Sequence, residues 1–542
     1  MGLLDRYHGV TPYMLFSCLI YLSGALLYGI DTGSFGSLQA LPSFTRRFGV
    51  LNPTTGVYAL SPSVSAAANS IPFAGQALGA FLSSFTVDWF GYKWTMIILA
   101  FVQVIAIVIE MTSVYTSAWG QLTAGRFLAY TSTGLAEMAV THYNSEVSPA
   151  STRGLLAGSM LFFNALGNLW GAGMSRAYAT ELGDRGWLIP TGVQLVPAAI
   201  ILTGIWFTVE SPRWLVIQGR NGEALNNLNR LRPVEDVNKG YTKLEVDAIE
   251  KSLEEAGGLD QGRWLDLFRG NMLRRTWIAW SLFAFLQFTG IQFTNTFAAT
   301  FYVAQGLGAN TFTYVVLGNV GQIVTCLFQI FTYDIFGRRI FSILGGLLCF
   351  IFLAVVSILG AGGSAASNNS RSAVNAIVAS IILTQTFARW SVTNAFVIGG
   401  EIGGVKMRKK ILASSGVVNM ICAILVTAVV PYLFPTAPGS AGLGARVGWF
   451  FAAPSFLLFL FGLFVIPELK GRSLEETDEL FAAGLQAWQF SSYKTKGTGA
   501  LIAALQDDDT EKLRRASVTE AASGGEKYSA ASDSSSGRKI SV

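Results

Sequence analysis

Long apolar stretches alternate with short polar segments along most of the chain. A helix needs roughly 20 apolar residues to cross about 30 Å of hydrocarbon, and stretches of that length recur throughout the sequence. They begin near Tyr13, Ser63, Thr95, Trp119, Arg153, Leu188, Thr276, Thr311, Ile340, Ala373, Ile411 and Val447. The pattern therefore predicts an all-α membrane protein with twelve transmembrane helices.

A polar segment at residues 210–275 interrupts this pattern between the sixth and seventh stretches. It is helix-forming and balanced in charge, with eleven Lys or Arg and eleven Asp or Glu, so we expect a solvated loop. Lys93 and the KMRKK cluster at residues 406–410 fall on the same side of the membrane as this loop. Because basic residues concentrate in cytosolic loops, we expect both termini in the cytosol.

The same pattern predicts how the chain is organised. The expected units are a cytosolic N-terminus at 1–12, an N-terminal six-helix bundle at 13–209, the cytosolic helical loop at 210–275, a C-terminal six-helix bundle at 276–466 and a cytosolic tail at 467–542. The tail is rich in Ser, Asp and Glu from about residue 506, which predicts disorder there.

Composition narrows the possible functions. Of 542 residues, 51% are hydrophobic and only 13% are charged, which excludes a soluble domain of this length. The four cysteines lie singly inside predicted spans, without the spacing of metal ligands. We expect no enzyme activity, cofactor, metal site or nucleic-acid partner, because the sequence has no phosphate-binding loop and no nucleophile with a base. Asn368, in an N-x-S sequence, and Ser517, in RRAS, are candidate glycosylation and phosphorylation sites.

Three pairs of motifs recur in the same order in the two halves of the chain. DWFGYK at Asp88 is repeated as DIFGRR at Asp334, and TVESPRWL after the sixth stretch is repeated as IPELKGR after the twelfth. Glu146 and Arg153, seven residues apart, match Glu401 and Arg408 at the same spacing. These repeats predict two homologous halves, an arrangement typical of transporters whose halves rock about a central, water-accessible site.

On these residues the chain resembles the sugar porter family of the major facilitator superfamily, and its end looks like the fungal members. The shared motifs are GIDTG, AGRFL, HYNSEVSPASTRG, VESPRWL, DIFGRR and PELKGRSLEETDELF, spread over about residues 13–482. The resemblance implies the major facilitator fold, with two pseudo-symmetric six-helix bundles, and alternating access. It also implies a sugar or related polyol as substrate, a plasma-membrane location in the lipid bilayer, and function as a monomer.

Charged residues of the repeated motifs lie at the predicted cytosolic ends of the helices. Pairing between them in one state and separation in the other would gate the inner side of the transporter. The predicted gate residues are Asp88, Glu146 and Arg153 in the first half and Asp334, Arg338, Arg339, Glu401 and Arg408 in the second. The alternative is that they only set the topology, as basic residues at cytosolic helix ends do.

Asp31 lies within the first predicted span, where an ionised side chain costs about 3 kcal/mol and needs a partner. Arg126 in the fourth span is at a similar depth, counted at about 1.5 Å per residue. In the resembling sugar/proton symporters the matching acid takes the coupling proton and the matching arginine is its partner. The alternative is a permanent ion pair that only orients two helices.

The resemblance also indicates where a sugar would bind. Family members hold hydroxyls with amides and cover the ring with an aromatic side chain, and amides suit hydroxyls because they donate and accept. The matching positions here are Gln287, Gln292, Asn419, Asn164 and Phe396. For the four amides the alternative is hydrogen bonding between helices.

Arg389 is predicted near the centre of the membrane, where an unpaired guanidinium is improbable. Either it pairs with an acid such as Glu137 or Glu110, or it binds an anionic substrate. A carboxylated polyol, as in the family's quinate-type porters, fits the second alternative. The main function predicted is import of a sugar or polyol with a proton; a quinate-like substrate, a facilitator without proton coupling and a non-transporting nutrient sensor are the alternatives.

Overall fold

The computed structural model describes residues 10–51, 58–149, 153–258, 263–307, 310–360, 371–433, 440–470, 472, 474–490 and 492–493. Asn368 and Ser517 lie outside these ranges. The first half contains α1 (Pro12–Leu38), α2 (Pro42–Phe48), β1 (Val50–Leu51), β2 (Tyr58–Ala59), α3 (Pro62–Thr116), α4 (Trp119–Val147), α5 (Arg153–Ala177), α6 (Arg185–Gly192) and α7 (Leu195–Gly204). Four helices follow: α8 (Pro212–Ile217), α9 (Asn221–Leu231), α10 (Val234–Asn238) and α11 (Tyr241–Gly258). The second half contains α12 (Gly270–Phe288), α13 (Ile291–Ala304), α14 (Thr311–Phe336), α15 (Arg338–Leu359), α16 (Arg371–Ile402), α17 (Gly404–Leu433), α18 (Gly448–Phe464) and α19 (Leu474–Ala482).

The helices begin and break where local chemistry dictates. Thr11 caps α1 by accepting a hydrogen bond from the backbone N–H of Met14, and Pro12 occupies the first turn, where its missing N–H costs nothing. The 55-residue α3 contains two predicted spans, divided at Gly91, whose φ of 83° and ψ of 175° are not helical. Gly337, between α14 and α15, has nearly the same conformation, with φ 87° and ψ 173°. Each of the two repeated motifs, at Asp88 and at Asp334, thus contains a glycine that interrupts the helix with nearly the same backbone conformation.

Seven helical segments of the described chain are long and apolar enough to cross a membrane, judged by length and composition. Arg126, Asn164, Gln287 and Arg389 all lie on helices outside this set. These helices are less apolar because they carry polar side chains toward the interior, where all four residues are buried. Eleven of the twelve predicted starts fall on described helices, within two turns of the beginning or of the break in α3, and the twelfth, Val447, immediately precedes α18.

Buried apolar side chains form two large clusters, one in each half of the chain. The first packs α1, α3, α4, α5 and α7 around residues such as Tyr21, Met96 and Tyr143. The second packs α12 to α18 around residues such as Phe293 and Phe451. We call the two helix groups the N bundle and the C bundle.

The two ends of the molecule differ. At the end that we call the loop end, α8 to α11 form a helical layer that Arg232 fastens to the N bundle. Arg232 donates a hydrogen bond to the carbonyl of Val147 (3.0 Å) and pairs with Glu245 at 2.7 Å. At the opposite end, which we call the hairpin end, α2 and the antiparallel pair β1–β2 follow α1.

Candidate functional site

Asp31 and Arg126 form a buried ion pair between α1 and α4. Their exposed fractions are 0% and 2%, and Nη1 of Arg126 lies 3.3 Å from Oδ1 of Asp31. Arg126 also donates from Nε to the carbonyl of Ala68 (3.1 Å), and its guanidinium stacks 3.4 Å from the ring centroid of Phe35. Gln194, just before α7, donates a second hydrogen bond to Oδ1 of Asp31, at 3.3 Å. The two residues that the sequence paired by depth are therefore in contact.

A small void adjoins this pair, between the two bundles. Its lining consists of Thr32, Phe35, Gly36, Asn69, Phe73, Arg126, Tyr130, Gln292 and Thr296. The volume is about 10 Å³, roughly enough for one water molecule and far too small for a sugar ring. Nevertheless, Arg126 of the ion pair and Gln292, a predicted sugar-binding amide of the C bundle, line the same void.

The other predicted substrate residues of the C bundle contact one another or their neighbours. Gln287 donates from Nε2 to Oδ1 of Asn419 (2.8 Å), so these two amides bond to each other across α12 and α17. Gln292 donates to the hydroxyl of Thr296 at 3.2 Å. The ring of Phe396 packs edge-on against Phe283, with centroids 5.0 Å apart. In this conformation Gln287 and Asn419 therefore make the interhelical hydrogen bond that was the alternative to binding a ligand, whereas Gln292 bonds within its own helix, α13.

A second amide group lies beside these residues and escaped the sequence analysis. Oδ1 of Asn295 accepts hydrogen bonds from Gln322 (2.8 Å) and Gln385 (3.1 Å), which joins α13, α14 and α16. One signal was present in the sequence, because Asn295 follows Gln292 by three residues and so lies on a neighbouring part of the same helical face. The partners on α14 and α16 depend on helix rotation, which one sequence does not reveal.

Arg389 on α16 joins the two bundles. Its guanidinium donates to Oδ1 of Asn164 (3.4 Å) and to the carbonyl of Leu161, both on α5, and only 3% of the residue is exposed. Among the described residues, no carboxylate lies within ion-pair distance of it, so the alternative that Glu137 or Glu110 pairs with it is wrong. Glu137 accepts instead from the side-chain amide of Gln76 on α3 (3.0 Å).

The predicted gate residues of the N bundle do not form one cluster. Glu146 accepts hydrogen bonds from the hydroxyls of Tyr92 (3.0 Å) and Ser211. Asp88 is exposed, and its backbone carbonyl accepts from the side chain of Gln218 (3.1 Å). The side chain of Arg153 lies outside what the structure describes.

In the C bundle the structure brings two of the predicted gate residues together. Arg338 and Glu401 form an ion pair at 3.1 Å. Arg339 donates instead to the carbonyls of Gly462 (3.1 Å) and Leu463 at the end of α18. Arg408 is exposed, and the side chain of Asp334 lies outside the described part of the chain.

Two glutamates that were not among the predicted residues fasten the backbone breaks at the loop end. Glu210 accepts the backbone N–H groups of Tyr92, Lys93 and Ser211 at 3.0 to 3.1 Å. Burial raises the pKa of Glu210, and these hydrogen bonds to its charged form oppose that shift.

Glu468 does the same in the second half. It accepts the N–H groups of Arg338, Arg339 and Lys470 at 2.9 to 3.1 Å. Each glutamate thus holds the start of the helix that follows a glycine break, and the repeated motifs TVESPRWL and IPELKGR supply them. Sequence reasoning used these motifs for the repeat and overlooked the acids within them.

The bundles are in direct contact at the hairpin end. Gln39, just after α1, donates to the carbonyl of Thr296 (3.0 Å), and Arg176 on α5 donates to the hydroxyl of Thr313 (2.7 Å). α1 also approaches α13 closely, because a Cβ atom on Gly36 would lie only 2.3 Å from the carbonyl oxygen of Asn295. These contacts close the hairpin end in this conformation.

Comparison with known proteins agrees with this architecture. The family model for sugar (and other) transporters matches residues 17–481. The low-affinity glucose transporter HXT3 of Saccharomyces cerevisiae is 26% identical over 91% of this chain and 87% of its own length. A probable quinate permease of Aspergillus fumigatus is 28% identical over 87% of this chain and 89% of its own.

Among solved structures, the xylose transporter XylE of E. coli in an inward-open conformation matches with a TM-score of 0.69. The match has 21% identity and covers 86% of this chain and 100% of that one. It confirms the expected major facilitator fold. The chain, whose repeated motifs and two helix bundles follow that fold, therefore belongs to the sugar (and other) transporter family of the major facilitator superfamily.

Proposed function

We propose that the protein is a symporter that imports a sugar or related polyol together with a proton by alternating access. The observation that carries this proposal is the Asp31–Arg126 pair, which is shielded from solvent and adjoins the void that Gln292 lines from the other bundle. A titratable acid at the bundle interface links proton binding to the relative position of the bundles.

The coupling follows from electrostatics. While the pair is intact, Arg126 stabilises the ionised form of Asp31. A movement of the bundles that separates the pair leaves a carboxylate in apolar surroundings, where the protonated form is favoured. Protonation therefore accompanies one conformation and release of the proton accompanies the other.

The test is substrate uptake by the Asp31→Asn variant, expressed in cells that lack their own sugar porters. We expect the variant to equilibrate substrate but to lose accumulation against a gradient and the pH dependence of uptake. Asp184→Asn is the matched control, since Asp184 is an exposed acid at the hairpin end and the substitution is chemically identical. Accumulation by Asp31→Asn with the pH profile of the control would contradict proton coupling and support the permanent ion pair or a facilitator.

A carboxylated polyol is a second candidate substrate, and Arg389 favours it. A buried guanidinium that meets amide and carbonyl oxygens retains its full positive charge, which a carboxylate of the substrate would neutralise with two parallel hydrogen bonds. The probable quinate permease among the relatives is consistent with this possibility. Competition of quinate and of neutral sugars against labelled substrate decides between them, since competition by neutral sugars alone would exclude the anion.

The remaining alternatives and the location are tested separately. A nutrient sensor on this fold would give no uptake in porter-deficient cells at normal surface abundance.

We propose a plasma-membrane protein with the loop end and both termini in the cytosol, because Arg338, Arg339 and Arg408 all lie at the loop end. Antibody access to epitopes at each terminus, before and after permeabilisation, tests that orientation.

A further inference from the structure

Glu110, on the second part of α3, is a buried acid next to the Asp31–Arg126 pair. It is 2% exposed, and its side chain lies over Gly125, the residue before Arg126. A Cβ atom on Gly125 would come within 2.5 Å of Cγ of Glu110, so a larger side chain there would displace the acid. The glycine at this position therefore allows a carboxyl from α3 to approach the arginine of α4.

Both acids have an oxygen that lacks a hydrogen-bond donor. Among the described residues, neither Oε1 of Glu110 nor Oδ2 of Asp31 has a hydrogen-bond partner, and both atoms are buried. A buried carboxylate oxygen without a donor is costly. Protonation gives a carboxylate an O–H group that can donate a hydrogen bond. Both unpaired oxygens lack such a donor.

Among the residues that the structure describes, few charged groups surround Glu110. Its carboxyl interacts electrostatically with Asp31 on α1 and with Arg126 on α4. Tyr130, also on α4, contacts Arg126, and Arg47 on α2 donates to the carbonyl of Val114, one turn further along α3. Gln194, just before α7, is neutral and bonds to Asp31.

The charge balance of this group depends on one proton. With both acids ionised, Asp31, Glu110 and Arg126 carry a net charge of −1 in apolar surroundings, and one bound proton makes the group neutral. Two buried carboxylates near one cation do not both ionise readily, because each opposes the charge of the other. The pair titrates as a unit rather than as two independent acids.

We propose that Asp31 and Glu110 form a two-carboxyl site that shares the coupling proton beside Arg126. This inference rests on the proposed proton symport and adds a second proton-binding residue to it. The proton comes from water on one side of the membrane, binds to one carboxylate oxygen and leaves to water on the other side.

The test is the initial rate of uptake as a function of external pH, in wild-type, E110Q and E110D transporters. Without the second carboxyl, Asp31 is paired with Arg126 alone and stays ionised to lower pH. We expect the pH of half-maximal uptake to fall by about one unit in E110Q. E110D keeps a carboxyl that is retracted by one methylene, so its midpoint should fall less. E181Q, which removes an exposed carboxylate at the hairpin end, is the control and should keep the wild-type midpoint.

The outcomes separate this inference from the function on which it rests. A wild-type transporter whose uptake does not depend on pH would overturn the proposed symport itself. If wild-type uptake depends on pH, Asp31→Asn abolishes that dependence and E110Q keeps the midpoint of E181Q, the symport stands and the shared site is wrong. Surface abundance is measured for each variant, and if E110Q is not delivered to the membrane, an unchanged midpoint in E110D overturns the inference.

Discussion

A methyl group added at Gly36 should hold the hairpin end of the transporter open. Gly36 lies on α1 where this helix meets α13 of the other bundle, and the added Cβ atom would be 2.3 Å from the carbonyl oxygen of Asn295. Ordinary contact begins at about 3.4 Å, so the two helices must separate by about 1 Å there. The obstacle is backbone, which cannot rotate away as a side chain can.

The steric clash destabilises only the conformation in which the hairpin end is closed. Forcing an extra methyl into a packed contact costs about 1 to 3 kcal/mol. Any state in which the bundles part at the hairpin end avoids this cost. The population should therefore shift toward that state by about 5- to 150-fold.

Thiol labelling measures this shift. Thr296 lines the void behind the closure, and the four native cysteines are buried, so T296C provides a reporter that becomes reactive when the hairpin end opens. With an impermeant reagent added to intact cells, G36A should label faster than the parent by the factor above and should transport more slowly. The matched control is G173A on α5, where an added Cβ atom would meet nothing within 4 Å.

Equal labelling rates in G36A and G173A would refute the reasoning. Such a result would mean that the contact between α1 and α13 relaxes without opening the hairpin end. Slower labelling in G36A would refute it as well, because the methyl would then favour the closed state.

Three further predictions concern the other parts of the site. Gly337→Ala should destabilise the purified protein in thermal unfolding by about 2 kcal/mol more than Gly219→Ala. Both glycines have positive φ, but only at position 337 would the new methyl group clash with a side chain, that of Glu468, which holds the start of α15. Equal losses of stability would contradict that role of Glu468. Arg389→Gln should raise the half-saturation concentration for a carboxylated polyol by about 30-fold and leave a neutral sugar within about 3-fold, and equal changes for both would remove Arg389 from substrate selection. Asn419→Ala should lower stability by about 1 to 3 kcal/mol because Gln287 loses its partner, and the double substitution with Gln287→Leu should recover part of that loss; additive losses would contradict the coupling of the two amides.

The sequence predicts the helices and the ion pair well because both depend on distances counted along the chain. Apolar length places the spans, and a rise of about 1.5 Å per residue places Asp31 and Arg126 at one depth. The same counting predicts that Arg389 lies near mid-depth. It could not show that Arg389 points at α5, because that depends on how far each helix is rotated about its axis.

The residues that sequence reasoning missed share this difficulty. Glu110 was considered only as a partner for Arg389, yet it lies beside Arg126, where Gly125 leaves room for it. Glu210 and Glu468 stand in motifs whose repetition was recognised, but their role depends on backbone N–H groups that glycine breaks leave unpaired. Such acceptors become apparent only when the chain path through Gly91 or Gly337 is known.

Arg389 meets no carboxylate within the described part of the chain, and the charge of the substrate that it would bind determines whether the membrane voltage drives uptake. A neutral sugar carried with one proton moves a net positive charge, so an inside-negative voltage contributes about 2.3 kcal/mol per 100 mV to uptake. A carboxylate carried with one proton moves no net charge, and the voltage then contributes nothing. Whether substrate elicits an electrical current therefore reveals what the arginine faces during translocation.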